Sequence, residues 1–380
     1  MRYIGSHIHR DLQKKMVFVG GPRQVGKTTL AKNILATDKW QGRYFNWDFD
    51  EDRQDILARK WQAQDRLLIF DELHKFARWK NWLKGIYDAH PEEHAYLVTS
   101  SSRLDVYRRG GDSLLGRYHY WRLHPFTLDE LPPDFTPDDG FRRLMTLGGF
   151  PEPFLSGSER EARRWRRERL DRVIREDIRD LESIRNIQYL SLFLDLLRSR
   201  VGGIVVLSNL AGDVQISPKT AKTWLEVLER MYLVFIVRPY TRSLPRAIQK
   251  PPKVYFFDNG DVLGDEGSRF ENLVATTLLK RHHFLEDFEG YRYELRYIRD
   301  KEGREVDFAI LRDGVLEELI EVQCGDDTPS RSLLYYAKKL KPPKVTQIVA
   351  GLNRPFDHNG IKVIDPITYF RNAPWNRNNR

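Results

Sequence analysis

The segment Gly21-Pro22-Arg23-Gln24-Val25-Gly26-Lys27-Thr28 constrains the fold more than any other stretch of the chain. It reads GxxxxGK[ST], with an apolar run, Met16–Gly20, directly before it and a helical pattern, Lys27–Ala36, directly after. A strand, a glycine-bearing loop and a helix in that order turn backbone N–H groups and a helix N-terminus toward one point, which suits a phosphate group. Lys27 would reach the β- and γ-phosphates of ATP, and the Thr28 hydroxyl would ligate Mg2+. Gly21, Pro22, Arg23, Gln24, Val25, Gly26 and Thr29 complete the expected cradle.

Such a loop needs a parallel sheet behind it, and residues 1–150 have the right alternation of short apolar runs and helical segments. The expected strands are Met16–Gly20, Arg43–Trp47, Leu67–Phe70, Tyr96–Thr99 and Tyr118–Arg122, with helices including Lys27–Ala36 and Trp79–His90. Leu131–Gly140 is rich in Pro, Asp and Gly and reads as a loop, and the Gly148-Gly149-Phe150-Pro151 run marks a domain boundary.

The run Leu67-Leu68-Ile69-Phe70-Asp71-Glu72 puts two carboxylates at the C-terminal end of a buried strand, where α/β sheets bind ligands. Asp71 suits Mg2+, directly or through water, and Glu72 suits polarising an attacking water. A third strand end, Leu97-Val98-Thr99-Ser100-Ser101-Ser102-Arg103, offers hydroxyls beside the same site, Ser101 among them, with an ordinary turn as the alternative. Arg117 is the first candidate for an arginine inserted into a neighbouring subunit's site, ahead of Arg103 and Arg122; surface salt-bridging is the alternative for each.

The remainder divides in two. Glu159–Arg185 interleaves arginines with acids three and four apart, the pattern of a solvated helix, or alternatively of a basic face for a phosphate backbone. From Ile187 to about Asp258 come a helix with apolar Ile187, Leu190, Leu194, Leu197 and Val201, a helix opened by Ser217-Pro218, and two strands, Tyr232–Arg238 and Val254–Phe257. That order is a winged helix-turn-helix, with Lys219 and Lys222 facing solvent and Pro251-Pro252 at the loop or wing tip. Residues 259–380 mix the helix Phe270–Arg281 with strands Tyr293–Arg299, Val306–Arg312, Leu316–Gln323, Val345–Val349 and Ile361–Ile364.

Lys and Arg number 63 against 54 for Asp and Glu, a net +9 that fits a polyanionic partner such as DNA. No apolar run approaches the ~18 residues of a membrane span, and the N-terminus lacks a signal-peptide pattern, so a cytoplasmic protein is expected. The single cysteine, Cys324, excludes an intramolecular disulfide framework and paired-cysteine zinc sites, and the His282–His283 pair reads as surface.

The stretches VGGPRQVGKTTL, LLIFDELHKFARWKNWLKGIYD, LVTSSSRLD, LLGRYHYWRLHPFTLDEL and GGFPEP together resemble a family of prokaryotic AAA+-type ATPases, over about residues 1–330. Its members join an N-terminal ATPase domain to a C-terminal region often labelled DUF4143. In that family the third strand motif usually reads Thr-Gly-Ser, whereas Ser100 stands at the glycine position here. The chain is thus read as α/β in three parts: a P-loop AAA+-type ATPase domain (1–150), an arginine-rich linker with a winged helix-turn-helix (151–258), and an α/β domain (259–380). The resemblance implies the winged-helix segment and a PD-(D/E)xK nuclease-like fold for the last part.

Glu271, Asp307 and Glu321 are the carboxylates that would converge on Mg2+ in the last part, with Glu321 and Gln323 on one face of their strand. Where the nuclease pattern has lysine, this chain has the neutral Gln323. The expectation is therefore Mg2+-dependent ATP hydrolysis coupled to DNA, by a homo-oligomer that could form a ring, with little or no cleavage. A nucleotide-gated protein scaffold and an ATP-regulated DNA nuclease are the alternatives.

Overall fold

The computed structural model describes residues 2–37, 40–89, 93–101, 114–178, 187–241 and 250–376. The chain forms two compact units, Met1–His124 and Pro125–Arg380.

The first unit is built on a five-stranded sheet of order β2-β3-β4-β1-β5, comprising β1 (Met16–Gly20), β2 (Gly42–Asn46), β3 (Leu67–Asp71), β4 (Ala95–Ser100) and β5 (Tyr118–Arg122). Every pairing is parallel. The helices are α1 (Gly5–Asp11), α2 (Lys27–Leu35), α3 (Asp50–Ala58) and α4 (Trp79–Ala89). All five residues of β1 and all five of β3 are buried, which explains their unbroken apolar runs. Phe70 anchors the core, stacking on Phe45 at 5.7 Å and meeting Trp82 edge-on at 5.5 Å. Truncation of so central a ring costs about 3–5 kcal/mol. The five expected strands lie within a residue of those observed, and the expected Trp79–His90 helix ends at Ala89, with His90 outside the described residues.

The second unit contains an eight-stranded mixed sheet of order β12-β13-β11-β10-β9-β8-β6-β7. Its strands are β6 (Val234–Pro239), β7 (Lys253–Phe256), β8 (Tyr293–Arg299), β9 (Glu305–Arg312), β10 (Val315–Cys324), β11 (Lys344–Ala350), β12 (Phe356–His358) and β13 (Ile361–Ile364). Three helices precede the β6–β7 hairpin: Ile187–Arg198, Leu207–Val214 and Pro218–Arg230. Ser217 caps the third, accepting from the Thr220 N–H, and Lys219 and Lys222 are exposed on it as expected.

Four features depart from the sequence reading. The hairpin expected as a wing is the edge of the large sheet: β6 pairs antiparallel with β7 and parallel with β8, Arg238 opposite Arg296. One hydrophobic cluster runs from Val173 to Phe370, so residues 151–258 and 259–380 share a core. The units divide after His124 rather than after residue 150, because residues 125–150 are held by the helix Glu266–Glu289, where Lys280 donates to the Pro125 carbonyl at 3.1 Å and Arg281 to Asp129 at 2.7 Å. Leu131–Gly140 contains a helix start, Pro137 capped by Thr136, which gives its acids a first-turn position.

The arginine-rich helix is likewise more than a solvated face. In Glu159–Arg172, Arg163 pairs with Glu159 at 3.2 Å in the expected way, but Arg169 is buried against Asp261 and Arg166 lies 3.3 Å from Asp258. Residues 179–186 of the segment lie outside the described residues. His282 is buried, not at the surface, and stacks on Tyr293 with ring centroids 5.3 Å apart. Burial pushes its imidazole down to about 3, so it is neutral. Among the described residues no helix is long and apolar enough to cross a membrane.

Candidate functional site

Parallel pairing brings three strand ends to one edge of the first unit. Gly20 lies opposite Ser100, and Asp71 opposite Thr99. The loop Gly21–Gly26 leaves β1 at this edge and enters α2 at Lys27. Gly21 is required by close approach, since a Cβ there would fall 2.3 Å from the Leu123 carbonyl oxygen. Gly26 caps α2 with φ of 98°, a left-handed conformation that costs little only without a side chain. The loop is braced from behind by Arg2, which donates to the Val25 carbonyl at 2.9 Å. These features make a cradle of the kind a phosphate group fills.

Lys27 is buried at the foot of the loop, its ammonium donating to the carbonyls of Gly21 at 2.9 Å and Pro22 at 2.7 Å. Thr28 Oγ1 donates to Asp71 Oδ2 at 2.7 Å, and Tyr44 Oη donates to the same oxygen at 2.7 Å. Thr99 donates to the other oxygen, Oδ1. Asp71 is thus fixed by hydroxyls from three elements, α2, β2 and β4. Burial, reinforced by Asp71, holds the Tyr44 phenol above its ordinary range, so it stays a neutral donor. Arg23, Gln24 and Thr29 line the loop and the first turn of α2, and Gln24 has φ of 65°.

Glu72 follows Asp71 with φ of 57°, and its backbone N–H donates to the Thr99 carbonyl at 3.1 Å. Its carboxylate accepts from Ser101 Oγ at 2.9 Å and lies 3.6 Å from His74 Nδ1. Burial raises the Glu72 carboxyl above its usual range, and the Lys27 charge opposes that rise. A carboxylate beside a phosphate loop with an elevated proton affinity is suited to accept a proton from water. Ser100, at the position expected to be glycine, is fully buried with its hydroxyl 2.9 Å from His74 Nδ1.

The arginine candidates separate by edge. Arg122 lies opposite Gly20, at the loop edge. Arg117 precedes β5 at the far edge and is held by Asp88 through two bonds, of 2.7 and 3.0 Å. Arg103 lies outside the described residues. Sequence reasoning missed Tyr44 and His74: β2 was legible, but its register against β3, which aims Tyr44 at Asp71, was not.

The second unit gathers its own carboxylates. Glu271 on the helix Glu266–Glu289, Asp307 on β9 and Glu321 on β10 face one region, with Gln323 Nε2 3.4 Å from Glu321 Oε1 as the alternation implied. Two participants went unforeseen: Glu305 and Lys253, whose ammonium lies within 3.2 Å of Glu271, Glu305 and Asp307. Burial and the neighbouring Asp307 raise Glu321 to about 9 and Glu271 to about 7. Among the described residues no group of three His, Cys, Asp or Glu side chains is set to hold a metal ion, so the expected Glu271–Asp307–Glu321 set is not assembled as one. The physical reason is the lysine: β7, the edge strand, delivers a cation into the cluster.

Comparison with known proteins bears on each unit. Residues 13–132 match a family described as "AAA domain". Residues 138–262 match "Domain of unknown function (DUF8612)", not the DUF4143 region expected there. An uncharacterised protein of Methanocaldococcus jannaschii, MJ1544, is 23% identical over 383 aligned residues, covering 90% of this chain and 83% of that protein. An uncharacterised Mycobacterium bovis protein, Mb2031c, is 21% identical over 260 residues, 68% of this chain and 58% of its own length. Among solved structures, a Thermotoga maritima RuvB variant is similar with a TM-score of 0.36 and 17% identity, covering 61% of this chain and 88% of that one. The N-terminal part of the chain, with its loop Gly21–Thr28 and its parallel sheet, is a P-loop AAA-type ATPase domain.

Proposed function

We propose that the chain hydrolyses ATP with Mg2+ at the Gly21–Thr28 edge and couples that reaction to DNA, as a cytoplasmic homo-oligomer. The observation that carries the proposal is the Asp71 carboxylate, fixed by Thr28 and Thr99 one residue before Glu72. Lys27 and the loop N–H groups would hold the β- and γ-phosphates, while Thr28 and Asp71 would hold the metal. Bound Mg2+ would neutralise phosphate charge. Glu72 would orient the attacking water and take its proton, aided by the hydroxyl of Ser101 that keeps the carboxylate in place. The DNA part rests on the exposed Lys219 and Lys222 on a capped helix ahead of a hairpin, on the exposed arginines of Glu159–Arg172, and on the net charge of +9. The carboxylates of β9 and β10 support a nuclease-like reading of the second unit, and Gln323 in place of lysine supports weak or absent cleavage.

The test is nucleotide binding and turnover by two variants. Lys27→Ala should lose ATP binding. Glu72→Gln should bind ATP and hydrolyse it at least ~100-fold more slowly, as loss of a general base requires. Wild-type turnover by Glu72→Gln would remove the catalytic assignment.

A further inference from the structure

Lys253 stands where the carboxylates of the second unit converge. It is 1% exposed, and its Nζ lies 2.6 Å from Glu305 Oε1, 3.1 Å from Glu271 Oε1 and 3.2 Å from Asp307 Oδ1. The surrounding groups are committed as well. Tyr255, two residues further along β7 and on the same face, donates its hydroxyl to Glu271 Oε1 at 2.5 Å. The Val322 N–H donates to Asp307 Oδ2 at 3.0 Å. Gly202 packs against the same Glu271 carboxylate: a Cβ added to it would fall 2.5 Å from Glu271 Oε2.

A divalent ion needs several oxygens around one point at ~2.0–2.6 Å. Here Glu271, Glu305 and Asp307 each turn an oxygen to the ammonium, and a buried lysine and a divalent ion cannot share that point without severe like-charge repulsion. Burying an ammonium this deeply is tolerable only because those oxygens replace its lost water. Glu321 is the member Lys253 does not bridge, and its Oε1 lies 3.4 Å from Gln323 Nε2.

We propose that the Lys253 ammonium is the resident cation of this cluster and stands in place of a divalent metal. The consequence for cleavage rests on the nuclease-like reading above; the occupancy itself follows from the contacts alone. A unit arranged in this way keeps its carboxylates for structural cohesion and lacks the ion that phosphodiester hydrolysis would use.

The experiment measures Mn2+ uptake by the nucleotide-free full chain, from loss of the free-ion electron paramagnetic resonance signal. Wild type and Asp307→Asn should take up equal amounts. Lys253→Gln should gain about one ion per chain, lost again in the Lys253→Gln, Asp307→Asn double variant. Wild-type uptake that Asp307→Asn abolishes would overturn the proposal, and so would a cooperatively melting Lys253→Gln that gains nothing. If Lys253→Gln fails to fold, the wild-type and Asp307→Asn pair decides alone, equality supporting the proposal and a difference refuting it. Plasmid nicking in the same samples separates the two ideas. Nicking by wild type that Asp307→Asn removes refutes both the lysine assignment and the reading of weak cleavage, whereas Asp307-dependent uptake without nicking refutes the lysine assignment only.

Discussion

Thr28 Oγ1 donates to Asp71 Oδ2 across 43 residues of sequence, at 2.7 Å, joining the start of α2 to the end of β3. Because Tyr44 donates to the same oxygen and Thr99 to the other, the carboxylate is oriented before any ligand arrives. Outer hydrogen bonds of this kind commonly contribute 10–100-fold to metal affinity, roughly. Tyr44→Phe should therefore raise the Mg2+ concentration for half-maximal ATPase activity about 10-fold, leaving metal-free nucleotide binding unchanged. An unaltered Mg2+ dependence would detach Tyr44 from the site.

With Glu72 as the proposed general base, its carboxyl should set the acid side of the pH profile. Burial raises its proton affinity, and the Ser101 hydroxyl opposes that by donating to the ionised form. A general base works deprotonated, so turnover should fall as pH drops through a pKa above the ordinary glutamate range. Ser101→Ala removes one stabilising donor and should move that fall to higher pH, while ATP affinity at neutral pH holds. A shift toward lower pH, or none, would contradict the role given to Ser101.

Arg117 cannot serve its own phosphate loop. Met16 pairs with Tyr118 and Gly20 with Arg122, so Arg117 lies at the start of a strand whose far end meets the loop. At ~3.3 Å per residue the separation is on the order of 13–17 Å. Any catalytic use must therefore be made by a second copy. Specific activity should rise with protein concentration, Arg117→Ala should abolish the rise, and mixing Arg117→Ala with Lys27→Ala chains should recover part of it. Light scattering showing a fully active monomer would end the oligomer proposal.

How far the sequence reached follows from the range of each interaction. The loop, Asp71 and Glu72 are legible because a strand end and a helix start fix them locally. Strand positions in both units are legible from apolar runs. Tyr44 was not, since its role depends on β2 lying in register with β3. Lys253 was not either, because only the assembled sheet carries the hairpin strand β7 beside the helix that holds Glu271. The expected boundary near residue 150 lies inside the second compact unit for a related reason: Gly148 and Gly149 look like punctuation. In the fold the Gly149 carbonyl accepts from the Phe126 N–H at 2.7 Å, within the second unit.

The buried pair Arg169–Asp261 gives a stability prediction. Both side chains are almost fully enclosed, so removing one takes from the other its direct ion-pair partner. Asp261→Ala should lower unfolding free energy by about 3–5 kcal/mol, measured by denaturant titration, far more than Glu159→Ala in the exposed pair with Arg163. Equal, small effects would show that the buried pair is solvated.

DNA binding decides between the proposed coupling and a protein-scaffold role. Lys219 and Lys222 are exposed on the helix Pro218–Arg230, one turn apart, as phosphate contacts on a single groove wall require. Each phosphate neutralised releases counterions, with a log–log slope against salt of roughly −0.9 on duplex DNA. Replacing both lysines with alanine should flatten the slope by about 1.8 and weaken binding evenly across sequences. The helix should survive the change, because alanine is the strongest helix former and both positions face solvent. Fluorescence anisotropy over a salt series, with and without ATP, supplies the measurement. A slope unchanged in the double variant would move the contact to the arginines of Glu159–Arg172, and no binding at low salt in either nucleotide state would favour the scaffold.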